Sequence, residues 1–553
     1  MALGVSAAMA MAMAMAPPAA AGEIRLRDRA GEWGLDFRHH DGGSGRRYLP
    51  ETMGSGVVVF DYDADGDADV FLLDGGPLPG SPAVPFRSRL YRNDGGRFVD
   101  VTERSEIEPG GFGAGGAAAD VDGDADLDLY LTALGANSLW LNRGDGSFRR
   151  ADPETGAGDE LWGASAAFAD PDSDGDLDLY VANYVDFAPA DRTPCRQQDV
   201  EVYCHPGQYD GLPDRFFRNV GDGDGDRDGR FEEVSVAAGL AVDARAGLGV
   251  AFADFDDDGH TDLYVANDAE ANFLFHNRGD GTFEETALLA GTAYGDTGRP
   301  EAGMGVAVGD VDGDGLADVF VTNFELETNV LYRNAGGLLF TDVRFAANVA
   351  EASILSLAFG VEMADLDHDG DLDLVIANGH ILDNAASFHE RSRYAQPDQV
   401  FENLGGGRFR EVRDFGAGPD RVGRGLATGD LDGDGDLDVV VNNVDEEVTA
   451  YENLGAKGGW LVVDLRAATG NRHGIGARLA VLASPSEGRA AQVREIRAGS
   501  SYLSQSDGPA HFGIGAASDV RLEVRWPGGA RQRLSSVPAD RRLRLERSPA
   551  GTR

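Results

Sequence analysis

Residues 60–76 read FDYDADGDADVFLLDGG, with Asp61, Asp63, Asp65, Asp67 and Asp69 inside nine positions and the apolar run Val70, Phe71, Leu72 and Leu73 directly behind them. Carboxylates at that density repel one another and raise each other's pKa unless a positive partner neutralises them. The stretch itself supplies none.

The pattern recurs six more times, beginning at Asp120 (DVDGDADLD), Asp170 (DPDSDGDLD), Asp254 (DFDDDGHTD), Asp310 (DVDGDGLAD), Asp365 (DLDHDGDLD) and Asp430 (DLDGDGDLD). Start-to-start spacings are 59, 50, 84, 56, 55 and 65 residues, a period near 50 with insertions. Each unit carries a small-residue apolar run before the acidic stretch (GLGVAFAD, GMGVAVGD) and a β-rich run after it (DLYVAN, DVFVTN). A hairpin signature follows, as in LYRNDGGRFVDVT, LFHNRGDGTFEET and LYRNAGGLLFTDV. Asn and Gly supply the positive-φ positions of tight turns there. Four short strands per unit, repeated seven times, predict an all-β chain built around a seven-bladed β-propeller.

Ring closure is expected from the two ends of the repeat. The seventh unit stops at YENLGAKGG without an outer strand, whereas IRLRDRAGEWGL near the N-terminus has the look of one. The organisation read from the sequence is a signal peptide over 1–21, the propeller over 22–456 and a small all-β domain over 457–553, whose runs WLVVDL, VREIRA and VRLEVRW alternate in the strand period.

In D-x-D-x-D-G-x-x-D, side chains at positions 1, 3, 5 and 9 can turn inward on one tight loop while position 7 gives its backbone carbonyl. Hard oxygen ligands at that density suit Ca²⁺, which accepts six to eight in flexible geometry, better than Mg²⁺, which keeps its waters. The predicted metal set is Asp61, Asp63, Asp65, Asp67 and Asp69; Asp120, Asp122, Asp124, Asp126 and Asp128; Asp170, Asp172, Asp174, Asp176 and Asp178. It continues with Asp254, Asp256, Asp258, His260 and Asp262; Asp310, Asp312, Asp314, Leu316 and Asp318; Asp365, Asp367, Asp369, Asp371 and Asp373; and Asp430, Asp432, Asp434, Asp436 and Asp438. All 28 side-chain positions are Asp, whereas position 7 varies among Asp, His and Leu, as a carbonyl donor should. Position 6 is Gly except at Ala125, where a strained turn or a weaker site is expected. About seven Ca²⁺ are therefore expected, with an eighth candidate at Asp224, Asp226, Asp228 and Glu232, which a solvated acidic loop explains as well.

The formal charge of −47 is uneven: residues 457–553 hold 16 Arg and Lys against 8 Asp and Glu, so that segment is +8 and the remainder −55. Such a field repels nucleic acid and anionic membranes and attracts cations. The N-terminus, MALGVSAAMAMAMAMAPPAAAGEIRL, has the apolar core and small-residue run of a secretory signal but no basic leader, and no later stretch reaches the length of a membrane span. A secreted, periplasmic or cell-surface location is expected. Cys195 and Cys204, the two cysteines, suit a local disulfide; the alternatives are a metal pair with His205, which leaves a zinc site one ligand short, and two unpaired thiols.

These repeats resemble the FG-GAP, or VCBS, repeats of integrin α-chain propellers. The chain as a whole resembles bacterial members of the cartilage acidic protein 1 family, through FRHHDGG, YLPETMGSGVVVFDYDADGD and the C-terminal NRHGIGARLAV, GSSYLSQSD, HFGIG and VRWPGG of an ASPIC/UnbV domain. The resemblance implies an exported calcium-binding propeller with the loop aspartates as ligands, and carries over no catalyst. Ser504, Gln505, Ser506, His511, Trp526 and Pro527 of that domain read either as a binding surface or as turns and core.

GGFGAGG matches a dinucleotide fingerprint but leads into an acidic loop and not a helix, and the two Arg-Gly-Asp tripeptides at 143 and 278 fall at hairpin turns. Two insertions, 186–215 with the cysteines and 381–397 following His380, are expected on one face. Two classes of function stay open: a binding, adhesion or scaffold module for a protein or glycan partner, and an enzyme using an insertion-loop histidine or Ca²⁺ on a small molecule or glycan. A cavity lined by His380 or His205 is the feature that favours the second.

Overall fold

The computed structural model describes residues 23–81, 84–152, 154–189, 194–221, 229–482 and 491–547; the leader over 1–21 lies outside them. Seven antiparallel sheets of the repeat follow one another in chain order, each a meander of neighbouring strands. Their first strands are Val57–Phe60, Phe112–Ala119, Gly163–Ala169, Gly247–Ala253, Val306–Gly309, Ala358–Ala364 and Gly423–Gly429. Every second strand starts on the ninth residue of an acidic loop, as in Asp69–Leu72 and Asp128–Leu134, so the loop is the turn between strands one and two. Both faces of these strands are buried, because adjacent blades pack face to face; Val57, Val58, Val59, Val70, Phe71 and Leu72 are each 0% exposed. That explains the unbroken apolar runs behind the aspartates, where a sheet with one wet face would alternate.

The seventh sheet takes its outer strand from the N-terminus. Leu26–Asp28 pairs antiparallel with Thr449–Asn453 in the register Leu26↔Asn453 and Asp28↔Tyr451, closing the ring. Leu26 and Tyr451 then join one buried cluster with Phe415 and Leu426.

Residues 459–546 form two further sheets. One places Gly459–Arg466 between Ala510–Gly515 and, in parallel, Arg541–Glu546; the other orders Gln492–Glu495, Arg478–Leu482, Asp519–Arg525 and Arg531–Pro538. Their apolar side chains, Leu461, Phe512 and Trp526 among them, continue into Phe168 and Leu177 of blade three as a single core. This cap is therefore packed onto the propeller.

Between the two sheets the chain leaves the cap and runs along the axis of the ring. Phe168 N–H donates to the Ala498 carbonyl (2.9 Å), Val306 N–H to that of Ser501 (2.9 Å) and Val59 N–H to that of Gln505 (2.9 Å). Side chains bond the other inner strands: Ser504 Oγ accepts from Val57 N–H (3.1 Å), Ser501 Oγ from Val361 N–H (3.0 Å) and Ser506 Oγ from Thr428 N–H (2.9 Å). The Gln505 amide pairs with both backbone groups of Ala118, at 2.9 and 3.1 Å. First strands have no neighbour on the axial side, so this segment satisfies donors that would otherwise be buried unpaired. Close passage explains the glycine-rich first strands: a Cβ on Gly56 or Gly115 would lie 2.1 or 2.7 Å from the Leu503 carbonyl. Ser504, Gln505 and Ser506 thus form neither a surface nor the cap's own core; they fill the propeller axis.

Candidate metal loops and the opposite cavity

In the acidic loops the first, third and fifth aspartates bond to backbone N–H groups of their own loop. In the first, Asp61 Oδ2 accepts from Gly66 N–H (3.1 Å) and Asp65 Oδ1 from Asp67 N–H (2.9 Å). The ninth aspartate is the lock. Asp69, 0% exposed, accepts from Tyr62 N–H on Oδ2 (3.0 Å) and from Asn93 N–H on Oδ1 (2.7 Å), tying the loop to the third strand. Asp128, Asp262, Asp318, Asp373 and Asp438 repeat both bonds. Asp178 keeps only the bond from Asn219 (2.8 Å), because position 2 of its loop is Pro171, which has no N–H; its Oδ2 is buried with no hydrogen-bond partner among the described residues.

One oxygen from each of Asp61, Asp63 and Asp65 lies within 4.8 Å of the others, and the same holds for Asp120, Asp122 and Asp128, for Asp170, Asp172 and Asp174, and for Asp254, Asp256 and Asp258. Several acidic clusters of this chain could thus hold a metal ion. The donor set fits a hard cation, and Oδ1 of Asp61, Asp63, Asp120, Asp170 and Asp365 is buried with no hydrogen-bond partner among the described residues. Burial, reinforced by neighbouring carboxylates, pushes Asp61 up to about 6, Asp120 and Asp170 to about 7 and Asp365 to about 8. Asp69, more deeply buried, is pushed to about 9. Such shifts mark a site built for a positive charge.

Position-7 side chains such as Asp67, Asp126 and His260 lie on the hairpin of their own blade, whereas Asp436 of the seventh loop faces His368 of the sixth at 3.4 Å. Asp67 Oδ2 accepts from Gly95 N–H (3.0 Å), and a Cβ on Gly144 or Gly279 would come within 2.5 Å of Asp126 Oδ2 or 2.7 Å of His260 Nε2. Position 6 is left-handed throughout, from Gly315 at φ 91° to Gly66 at 102°, and Ala125 is forced into the same region at φ 88°. In the eighth candidate, Asp224, Asp226 and Asp228 lie outside the described residues; Glu232 is exposed in the outer strand of blade three.

One recurrent residue that reads as turn chemistry in the sequence is a clasp between blades. Each third strand ends on Asn: 93, 142, 219, 277, 334, 403 and 453. Each is buried and bonds its Nδ2 to the position-2 carbonyl of the preceding blade's acidic loop, as in Asn142 to Tyr62 (2.7 Å), Asn219 to Val121 (2.9 Å), Asn334 to Phe255 (2.8 Å) and Asn453 to Leu366 (2.8 Å). The signal was present in the sequence as an Asn in every unit, fixed relative to the acidic loop.

The cap covers the face that carries the loops. Arg525 pairs with Asp254 (2.5 Å) and Asp257 (2.8 Å) of the fourth loop, joined by Arg478; Gly513 N–H donates to Asp365 Oδ2 (2.9 Å) in the sixth; His511 Nε2 lies 2.8 Å from the Gly435 carbonyl in the seventh. Arg542 bonds the Gly66 carbonyl in the first. Trp526 is buried in the cap's own core.

At the other end of the strands both insertions meet. Cys195 and Cys204 form a disulfide across the hairpin Cys195–Gln197 and Val200–Val202, so His205 has no cysteine pair to share a metal with. This hairpin and the segment after His380 line one cavity of about 1110 Å³, which His205, His380, His389 and Glu325 also border. His380 Nδ1 accepts from Leu382 N–H (2.8 Å), leaving its Nε2 proton facing Glu325 at 3.4 Å.

Residues 61–131, 120–181, 254–321, 310–376 and 386–441 match the FG-GAP-like repeat model, and 467–552 match ASPIC and UnbV. The chain belongs to the FG-GAP-like repeat family. The FG-GAP matches begin on the first aspartate of four of the acidic loops and pass over 182–253, which holds the disulfide hairpin. Cartilage acidic protein 1 of Homo sapiens is 29% identical over 306 residues, covering 54% of this FG-GAP chain and 43% of that protein. Its Xenopus tropicalis counterpart is 30% identical over 305 residues, covering 53% and 44%. The chain spans less than half the length of these relatives. Among solved structures, an Agrocybe aegerita lectin described for recognition of non-reducing terminal N-acetylglucosamine overlays 73% of the chain and 90% of its own at 19% identity, with a TM-score of 0.36. That likeness is too loose to bear on binding. Among the described residues no helix is long and apolar enough to cross a membrane.

Proposed function

We propose that this FG-GAP protein is an exported calcium-binding propeller that works as a binding, adhesion or scaffold module, its calcium mainly structural. The observation that carries the reading is the repeated loop in which three carboxylates converge within 4.8 Å while buried oxygens such as Asp61 Oδ1 and Asp120 Oδ1 lack a partner. Aspartates at positions 1, 3, 5 and 9 would hold the ion, with the carbonyl of position 7. Bound calcium supplies positive charge and cross-links to a turn crowded with mutually repelling carboxylates. At about ten times its dissociation constant, each site adds roughly 1.4 kcal/mol to stability, or about 10 kcal/mol over seven independent sites.

Location outside the cytoplasm is supported by the Cys195–Cys204 disulfide and by the cartilage acidic protein 1 relatives. A protein or glycan partner would meet the insertion face, since the cap covers the loop face.

The enzymatic reading gains one observation, the cavity bordered by His205 and His380. Against it, both His380 nitrogens are committed, one to the Leu382 N–H and one to Glu325, so it offers no free base. Calcium titration of chelator-treated protein, followed by calorimetry and elemental analysis, tests the main reading: several sites per chain support it, and none overturns it.

A further inference from the structure

The cavity on the insertion face has a charge pattern that nothing in the propeller's architecture requires. Five carboxylates border it against one arginine, Arg196, which is exposed on the disulfide hairpin with its guanidinium bonded to the Asp199 carbonyl. Two of the carboxylates are brought together at the wall. Asp268 is the cross-strand partner of Ala302, and the Ala302 N–H donates to Glu327 Oε2 (2.8 Å). Asp268 Oδ2 accepts from the Tyr184 hydroxyl (2.6 Å).

Among the described residues no ion pair is made by either carboxylate. Arg344, which bonds the Glu327 carbonyl, spends its charge on Glu301 (2.8 Å) and Asp342 (2.9 Å). Arg424 is buried behind Phe359, donating to three backbone carbonyls, and does not border the space. Burial above all holds both acids above the usual carboxylate range, Asp268 at about 6 with Glu270 adding to it, and Glu327 with Glu301 and Asp268 adding to it. Six aromatic side chains complete the wall, Tyr184, Tyr203 and Phe324 among them. Phe359 is one, and its ring is backed by that of Tyr502 from the axial segment, 4.9 Å away. Aromatic faces and unpaired carboxylates together are what a desolvated organic cation requires.

We propose that this cavity binds a small organic cation, an amine or amidinium carried on a flat apolar body, with Asp268 and Glu327 as its charge partners. The ring seats among the aromatic side chains, and the cation supplies the counter-charge that the two acids lack. This deepens the binding-module reading and rests on the insertion face being the binding face.

Isothermal titration of the full calcium-loaded chain with benzamidine, benzamide and benzoate tests it. Benzamidine should bind at least tenfold more tightly than its neutral isostere benzamide, and benzoate should not bind. The pair Asp268→Asn and Glu327→Gln, whose amides still accept from Tyr184 and Ala302, should weaken benzamidine at least tenfold. If the double variant fails to fold, Glu327→Gln alone carries the same expectation. Equal affinity for benzamidine and benzamide, no binding of benzamidine, or unchanged affinity in the folded variant overturns the proposal. Calcium content, measured on the same samples, reports separately on the metal loops.

Discussion

Asn93 Nδ2 donates to the Leu431 carbonyl at 2.8 Å, joining the third strand of blade one to the acidic loop of blade seven across 338 residues of chain. It is the closing member of the ring of seven asparagine clasps, and its second bond, to Ala68 (3.0 Å), holds its own loop. Asn93→Ala leaves two buried carbonyls without a donor. A loss of about 2–4 kcal/mol in chemical denaturation is expected, since each unsatisfied group costs about 1–3 kcal/mol. A change below about 0.5 kcal/mol would show that closure rests on the N-terminal strand alone.

Within the first loop the two roles of aspartate separate cleanly. Asp67→Ala removes one part-exposed bond to Gly95 and should leave calcium affinity close to unchanged, with a stability cost of about 1 kcal/mol or less. Asp65→Ala removes a carboxylate of the converging cluster and should weaken that site at least tenfold. Calcium titrations of both variants check this, and equal losses would show the ligand assignment to be wrong.

At position 6 of its loop Ala125 takes the positive φ that the other six loops give to glycine at that position. Ala125→Gly should relieve about 1 kcal/mol of strain and strengthen the second site accordingly. Thermal unfolding in the presence of calcium, compared with the parent chain, measures it; a lower melting temperature would place the strain elsewhere.

The raised loop carboxylates make the pH response depend on metal. In chelated protein, Asp61 near 6, Asp120 near 7 and Asp365 near 8 all exceed the unfolded value, so the folded state binds more protons. Their contribution is complete below about pH 4 and is lost as pH rises from there through the folded values of about 6 to 8. Chelated protein should therefore melt lower at pH 8 than at pH 5. Calcium holds the same groups ionised, so loaded protein should be more stable at pH 8. Melting curves at both pH values with and without chelator read the sign directly, and parallel slopes would contradict the account.

Much of this was legible in the chain because spacing carries it. Seven Asp-rich loops, the small-residue run before each and the strand after it define blade and loop together. The missing outer strand of unit seven pointed to Leu26–Asp28, and the free variation at Asp67, His260 and Leu316 agrees with side chains that rest on hairpins. Three features escaped for a shared reason: they depend on contacts distant in sequence. Asn in LYRN reads as a turn former because its partner carbonyl belongs to another blade. GSSYLSQSD reads as a surface or a small core because the channel that it fills exists only after the ring closes. The small-residue run before each loop reads only as an apolar strand until Leu503 passes against Gly56.

The central claim is that calcium in the repeated loops braces the ring. Elemental analysis of purified protein, paired with melting curves before and after chelation, tests it most directly. Close to seven Ca²⁺ per chain and a steep fall in melting temperature on chelation are the expected results. A stoichiometry near zero with no thermal shift would contradict it.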